Sequence, residues 1–438
     1  MPYTYNRFKG NGGFARVDIV VDEHGVEFAQ KTYDPQPQLL QAVGDEHLKR
    51  RFIREVSYQT RVNHPNVVEI IEDFLTDDPP SFIMPLAECT LKDELTNDPT
   101  LGNNLHTALF DILAGLEFLH SRGFVHRDLK PANVLRFNDN GQYRYAISDF
   151  GLMSASNSDS STLTGTNANG GTENYAAPEL IGNFRRATAA ADIYAFGAIL
   201  HDIFGNGAQR VPYTELSIQG EIGTIVSKCT KRLSIRRYKN VAALRDDLYQ
   251  VLDTAEVSFT SSNEEVVVNL LKSKNHLTDE EWDSVFIQIE QNLTSEVGID
   301  NIIAAISLEQ IETLAENSPD LFNAMGMFFS ESIMGNSFGF DYCDVLASKA
   351  ELFYSSGDIG LKSQIAIALL YLGTSHNRWY VERKVVAMMG TGISSELAER
   401  IQIELEVQGI DFTGEIHHLC RSIGTDRNFL HPTLRALV

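Results

Sequence analysis

Cysteine is scarce, and the four present (Cys89, Cys229, Cys343 and Cys420) stand apart, with no CxxC pair and no close histidine partner. That excludes a disulfide framework and a cysteine-based zinc site, and makes a reducing cytoplasm the expected setting. Long apolar runs are also missing. Nothing approaches the roughly 20 residues a membrane span needs, and the opening MPYTYNRFKGNGG has no signal-peptide core. Basic residues are in deficit, 36 Lys+Arg against 59 Asp+Glu, for a formal charge of −23. The deficit is uneven: residues 1–252 carry 25 basic and 31 acidic side chains, residues 253–438 carry 11 and 28. Such a carboxyl-terminal part should repel nucleic acid and anionic membrane. It is either a solvated acidic surface or a docking face for a protein partner. What remains is the composition of a globular chain, 438 residues with 43% hydrophobic and 22% charged, long enough for two or three domains.

Residues 123–135 read GFVHRDLKPANVL. Apolar anchors at either end bracket a His-Arg-Asp cluster, a lysine, Pro131 and Asn133. An Asp and an Asn on one short loop can accept a proton from a hydroxyl and ligate a metal on a phosphate. The run resembles the catalytic loop of eukaryotic-type (Hanks-type) protein kinases, H-R-D-L-x-x-x-N. The resemblance makes Asp128 the base, Asn133 a magnesium ligand and Arg127 the receptor for an activation-loop phosphate.

Upstream, residues 3–32 read as three strands, with turns at Gly10-Asn11-Gly12-Gly13 and Asp22-Glu23-His24-Gly25. Glycines let backbone N–H groups approach phosphate oxygens, though a glycine cluster between strands is also an ordinary hairpin. The order G-N-G-G-F-A-R-V is similar to the kinase lid G-x-G-x-x-G-x-V, with Gly10, Gly12 and Val17 in register, Gly13 within it and Ala15 at the third glycine. Phe28-Ala29-Gln30-Lys31 resembles the strand that brings Ala29 and Lys31 to the nucleotide. A helix is expected over residues 44–62, with Leu48, Phe52, Val56 and Gln59 along one stripe. Glu55 lies on it among Arg50, Arg51, Arg54 and Arg61, and by resemblance holds Lys31 toward the phosphates. Residues 67–75 and 82–86 complete a small sheet. Met84 is placed at the back of an adenine pocket, with Pro85-Leu86-Ala87 as the hinge and Leu135 also against the nucleotide. Pro85 has no N–H, so a neighbour such as Ala87 must supply the backbone donor.

Downstream, residues 103–122 form a helix with Leu105, Leu109, Ile112, Leu113, Leu116 and Leu119 on one face, ended by Gly123. A hairpin follows through Asn138-Asp139-Asn140-Gly141. It leads to Asp149-Phe150-Gly151, the second metal-binding motif of the family, where Asp149 joins Asn133 as a ligand. The next segment is rich in Ser, Thr, Asn and Gly; it is either ordered by phosphorylation through Arg127 or a loop whose hydroxyls only solvate it. Gly171-Thr172-Glu173-Asn174-Tyr175-Ala176-Ala177-Pro178-Glu179 matches the Ser/Thr-kinase form G-T-x-x-Y-x-A-P-E. Together with Lys130 it implies serine or threonine acceptors, with Thr172 contacting Asp128 and Lys130. Asp192, opening an apolar helix near residues 191–200, would accept hydrogen bonds from the catalytic-loop backbone. Arg237 sits where the family places the partner of Glu179, with Arg236 as a rival.

The resemblance covers residues 1–252. It implies an α+β, bilobal protein kinase fold (a small antiparallel β lobe and a mainly helical lobe), ATP and Mg2+ as cofactors, and a protein substrate. The expected organisation is a kinase domain over 1–253, a polar linker over 254–263 and an all-α domain over 264–438. Within the last, Thr278-Asp279-Glu280-Glu281 is a capping box. Residues 366–389 resemble a HEAT-type helix pair joined by a Ser-His-Asn turn, with Trp379 in the core. His376, His417 and His418 have no ligand spacing and read as surface or turn residues. This domain carries no chemical motif, which leaves two functions open. The chain is an active kinase with a regulatory or interaction domain, or a kinase-shaped nucleotide switch whose helical part does the work.

Overall fold

A sheet and a helix facing it organise the amino-terminal part of the computed structural model. The structure describes residues 3–139, 141–149, 154–155, 172–181, 187–252, 259, 261–294 and 299–438. The chain divides into two compact units, Met1–Leu252 and Asp253–Val438.

In the first unit, strands β1 (Thr4–Asn11), β2 (Ala15–Val21) and β3 (Glu27–Tyr33) form an antiparallel meander. Its second turn is closed by Asp22, whose Oδ1 accepts from the backbone N–H of His24 at 2.9 Å and of Val26 at 2.8 Å. Helices α1 (Pro37–Val43) and α2 (Asp45–Gln59) follow, then β4 (Glu72–Phe74) and β5 (Ser81–Pro85), for a strand order β1-β2-β3-β5-β4. The predicted stripe on α2 is real: Leu48, Phe52 and Val56 are buried with Tyr33 and Phe82 of the sheet. α1, seven residues long, carries no periodic signal in the sequence. The strand expected over 67–75 is shorter, because the backbone at its start is used elsewhere. Val68 N–H donates to Ile147 O and Ile147 N–H to Asn66 O, both at 2.9 Å.

The helical lobe begins with β6 (Cys89–Thr90) and α3 (Leu91–Asn97), whose first turn is closed by a Thr90–Asp93 capping box. α4 (Leu105–Ser121) is buried over most of its length and runs into β7 (Phe124–Val125). Its Gly115 is required by a close approach, since a Cβ there would lie 2.5 Å from Asn66 O. The hairpin β8 (Val134–Asp139) and β9 (Gln142–Ile147) comes next, and β10 (Ser154–Ala155) pairs with β7. α5 (Ala189–Phe204) is apolar all round and central, as expected, and α6 (Glu221–Cys229) and α7 (Val241–Leu252) pack around it and α4.

The second unit is helical in its described residues: α8 (Ser262–Ser273), α9 (Asp279–Thr294), α10 (Asp300–Ala305), α11 (Leu308–Asn317), α12 (Pro319–Gly335), α13 (Phe340–Ser356), α14 (Ile359–His376), α15 (Trp379–Met388), α16 (Ser395–Gln408), α17 (Phe412–Ser422) and α18 (Pro432–Arg435). The capping box is present, with Thr278 N–H donating to Glu281 Oε2 at 2.9 Å and Glu281 N–H to Thr278 Oγ1 at 3.4 Å. Ser261 caps α8, so the last two residues assigned to a linker are already helical. α14 packs against α12, α13, α15, α16 and α17. Its turn into α15 is shorter than the predicted Ser-His-Asn, because Ser375 and His376 are still helical and the left-handed Asn377 ends the helix. Trp379 is 39% exposed, contrary to its expected core position. The inward direction at this corner belongs to Arg378, which donates to buried Asp344 at 2.7 and 2.6 Å. No described helix is long and apolar enough to cross a membrane.

Candidate functional site

Four short pieces of chain converge at one place in the first unit. β3 and α2 meet through Lys31, whose Nζ lies 3.2 Å from Glu55 Oε1 and 3.4 Å from Asp149 Oδ1. Residues 31, 55 and 149 are far apart in sequence, and the predicted lysine–glutamate pairing is present. Burial alone would lower the lysine's pKa, but Asp149 and Glu55 outweigh it and hold the ammonium above its ordinary value. Burial raises Glu55 despite Lys31, while the Lys31 charge holds Asp149 below the usual carboxylate range.

The catalytic-loop residues are held from below. Asp192, fully buried on α5, accepts from His126 N at 2.9 Å and Arg127 N at 2.8 Å, and faces His120 Nε2 at 2.8 Å. Burial would raise this carboxyl, but His120, His126 and the Arg127 N–H keep it below the usual range. His126 is itself buried, with Nδ1 accepting from Asp128 N at 3.3 Å and Nε2 facing Ser148 O at 3.0 Å. That pattern assigns the ring proton to Nε2. Arg127 (φ 71°) and Asp149 (φ 65°) both adopt left-handed backbone, which costs about 1–2 kcal/mol each for an L residue. Both are residues whose side chains the sequence marks as functional; Leu101, Asn206, Tyr213 and Asn377 also take positive φ.

Asp128 Oδ2 accepts from Lys130 Nζ at 2.8 Å and from Asn133 Nδ2 at 3.2 Å. Asn133 Nδ2 also donates to Asp128 O at 2.8 Å, and Asn133 O accepts from Ser148 N at 2.8 Å. Burial raises the Asp128 pKa; Lys130 opposes that shift and Asp149 adds to it. With its amide nitrogen used on Asp128, Asn133 has its side-chain oxygen as the atom that could ligate a metal. That oxygen and the Asp149 carboxylate are hard donors suited to Mg2+ shared with phosphate and water. No cluster of three or more His, Cys, Asp or Glu that could hold a metal by itself occurs among the described residues. The donor set therefore fits a cation that arrives with a phosphate.

The other predicted nucleotide-contacting residues lie on the sheet and on the segments around residues 84–87 and 134–139. Gly10 pairs with Val17, Val17 with Lys31, and Ala29 with Met84 across the sheet. Gly12 N–H donates to Ala15 O at 2.8 Å, and Gly13 O accepts from Gln36 N at 3.1 Å. Ala15 is buried in the core beneath α2, so only its backbone remains for the lid. Met84, Ala87 and Leu135 pack over Val68, Phe137 and Ala146 as an apolar shelf, with Leu86 half-buried on the same segment. Arg237, not Arg236, holds Glu179, at 2.6 and 2.7 Å. The side chain of Thr172, and residues 150–153 and 156–171 with most of the hydroxyl-rich segment, lie outside the described residues.

A family model for the protein kinase domain matches residues 3–276. The chain belongs to the protein kinase family. Among curated relatives, a probable serine/threonine-protein kinase, fhkE of Dictyostelium discoideum, is 32% identical over 209 residues, covering 45% of this chain and 28% of that protein. A putative serine/threonine-protein kinase B of Trypanosoma brucei brucei is 28% identical over 269 residues, covering 58% and 60%. Serine/threonine-protein kinase PrkC of Bacillus subtilis is 27% identical over 277 residues, covering 57% and 40%. The chain thus spans between 28% and 60% of the length of these relatives. Protein kinases as a family use ATP with Mg2+ and act on proteins.

The contacts of Arg51 with Phe14 and of His120 with Asp192 belong to no motif. Arg51 lies four residues before Glu55, and that helical spacing is the signal that could have found it.

Proposed function

We propose that the chain is an ATP-dependent serine/threonine protein kinase. The observation that carries the reading is Lys31 between Glu55 and Asp149, beside a loop that joins Asp128, Lys130 and Asn133. The adenine would lie between Ala29, Met84, Ala87 and Leu135, taking its backbone donor from Ala87. Gly10, Gly12 and Gly13 would cover the phosphates with backbone N–H groups. Lys31, fixed by Glu55, would hold the α- and β-phosphates. Asn133 and Asp149 would hold Mg2+, which when bound neutralises charge on the phosphate oxygens. The acceptor hydroxyl attacks the γ-phosphorus, the bond to the β,γ-bridging oxygen breaks, ADP leaves, and Asp128 takes the hydroxyl proton. Lys130 beside Asp128 would steady the charge on the transferred group. Lys130 and the segment through Thr172 to Glu179 support Ser/Thr acceptors.

Phosphorylation of the chain's own 152–172 segment, received by Arg127, is the regulation this reading favours. The linker and helical part, residues 254–438, would serve regulation or bind a protein partner, in keeping with its acidic charge, and the cytoplasm is the setting. Labelled ATP with a generic protein acceptor tests the activity. Transfer by the wild type that is lost in Asp128→Ala is the expected result, and transfer surviving that change would remove Asp128 as base. ATP binding with no transfer by the wild type would favour the nucleotide-switch alternative.

A further inference from the structure

Arg51 on α2 lies in the electrostatic surroundings of three acidic groups, Glu55, Asp149 and Asp128. Its place explains this. Lying one turn before Glu55, it shares that residue's face of the helix. Its guanidinium also sits over the ring of Phe14, 5.0 Å from the centroid. Phe14 follows the glycine turn directly and packs, half-buried, against the core under α2. The backbone around it is tied down on the other side, where Phe14 O accepts from Asp34 N at 3.1 Å and Gly13 O from Gln36 N at 3.1 Å. One cation therefore touches the tip of the glycine lid while lying in the field of the groups that hold Lys31 and the loop base.

We propose that Arg51 is a positioning residue that sets where the lid closes over the nucleotide phosphates, acting through its stack on Phe14. The inference rests on the kinase reading for the ligand. A guanidinium plane on an aromatic face is directional, and a lysine reproduces the charge but not the planar stack. Movement of α2 would carry Arg51 with it and shift the lid, so that Glu55 and the glycine turn are set together.

The test uses the full chain and four variants: Arg51→Gln, Arg51→Lys, Phe14→Ala and the Arg51→Gln/Phe14→Ala double. ATP affinity is read by calorimetry with Mg2+, and hydrogen exchange of residues 10–15 is read without nucleotide. Each single change to Gln or Ala is expected to weaken ATP about 3- to 10-fold, the scale of a partly desolvated cation–π contact. The double should be no weaker than the poorer single, with Arg51→Lys in between. Exchange should quicken in the lid and not in α4 or α5, a pattern that general loss of stability would not give. Multiplying factors in the double, or lid exchange unchanged in Arg51→Gln, would overturn the proposal. Neither readout needs phosphoryl transfer. A chain that shows the coupling and transfers no phosphate would therefore refute the kinase reading and leave this one standing.

Discussion

Arg237 meets Glu179 with both terminal nitrogens, at 2.6 and 2.7 Å, and its side chain is wholly buried. It also donates from Nε to Lys231 O and from Nη1 to Ala190 O, both at 2.8 Å. Three segments of the helical lobe therefore share one cation. Removing one partner of such a pair leaves a buried charge without its counter-ion, at about 3–5 kcal/mol. Arg237→Ala should lower the unfolding free energy of the first unit, read by denaturant titration, by that amount. Arg236→Ala, in the neighbouring position, should shift it by no more than about 0.5 kcal/mol. Equal losses would contradict the assignment.

Asp128 and Lys130 give a pH prediction with a definite sign. Burial raises Asp128, and the Lys130 charge lowers it. In its proposed role as base Asp128 must be ionised to act, so activity is expected to fall as pH drops through its pKa. Lys130→Ala removes the stabilising cation and should move the acid limb of kcat/KM to higher pH. Asp149 pushes Asp128 upward, so the two acidic groups would titrate as a linked pair. A limb unmoved by Lys130→Ala would separate that lysine from the base.

Lys31→Met should reduce kcat/KM for ATP by on the order of 10²- to 10³-fold, the loss typical of one charged donor at a reacting group. Glu55→Gln retains a hydrogen-bond acceptor for Lys31 and should cost about tenfold. The informative comparison is the order of the two. A glutamate change more damaging than the lysine change would mean that Glu55 does more than hold Lys31.

The contiguous motifs were legible because each places its residues within a few positions of one another. Asp128, Lys130 and Asn133 share one loop, and no long-range knowledge is needed to bring them together. Lys31, Glu55, Asp149 and Arg237 needed the family resemblance, since their partners are far away in sequence. The contacts that stayed hidden carry no motif. Arg51 on Phe14 joins a helix to a turn. The seven residues of α1, led by Pro37, are too few to show a periodic stripe. Trp379 faces outward because neighbouring residues on a helix point in different directions, and a pair 34 positions apart, Arg378 with Asp344, takes the inward one. The start of the expected 67–75 strand was lost to a pairing with Ile147 that composition does not reveal.

Glu382 on α15 is buried with one oxygen accepting from Ser422 Oγ at 2.5 Å and the other without a hydrogen-bond partner. Burial pushes its pKa up to about 7 from the ordinary 4.5, against the opposing effects of Ser422 and Arg383. The folded state therefore prefers the neutral acid. Its stabilisation is complete below pH 4.5 and is lost as pH rises through about 7. Within that window the second unit should weaken by up to about 1.4 kcal/mol per pH unit. Glu382→Gln should flatten the dependence, read from urea midpoints at pH 5 and pH 8. A slope unchanged in the variant would assign the effect to another group.

Gly197 in α5 faces α6 so closely that a Cβ would lie 2.5 Å from that of Cys229 and 3.0 Å from Thr230 Cγ2. Neither neighbour has a flexible end that can swing away. Gly197→Ala should destabilise the helical lobe by about 1–3 kcal/mol, as overpacking does, despite the better helix propensity of alanine. A stabilised variant would show that α6 can slide.

The chain has two tryptophans, buried Trp282 on α9 and half-exposed Trp379 at the start of α15, and both lie beyond residue 252. Intrinsic indole emission therefore reports on the helical unit alone. The glycine lid, Lys31 and the catalytic loop could melt without changing that signal. An emission curve and a far-ultraviolet dichroism curve recorded on one sample would follow different parts of the molecule. Their separation along the denaturant axis would measure how independently the two units unfold.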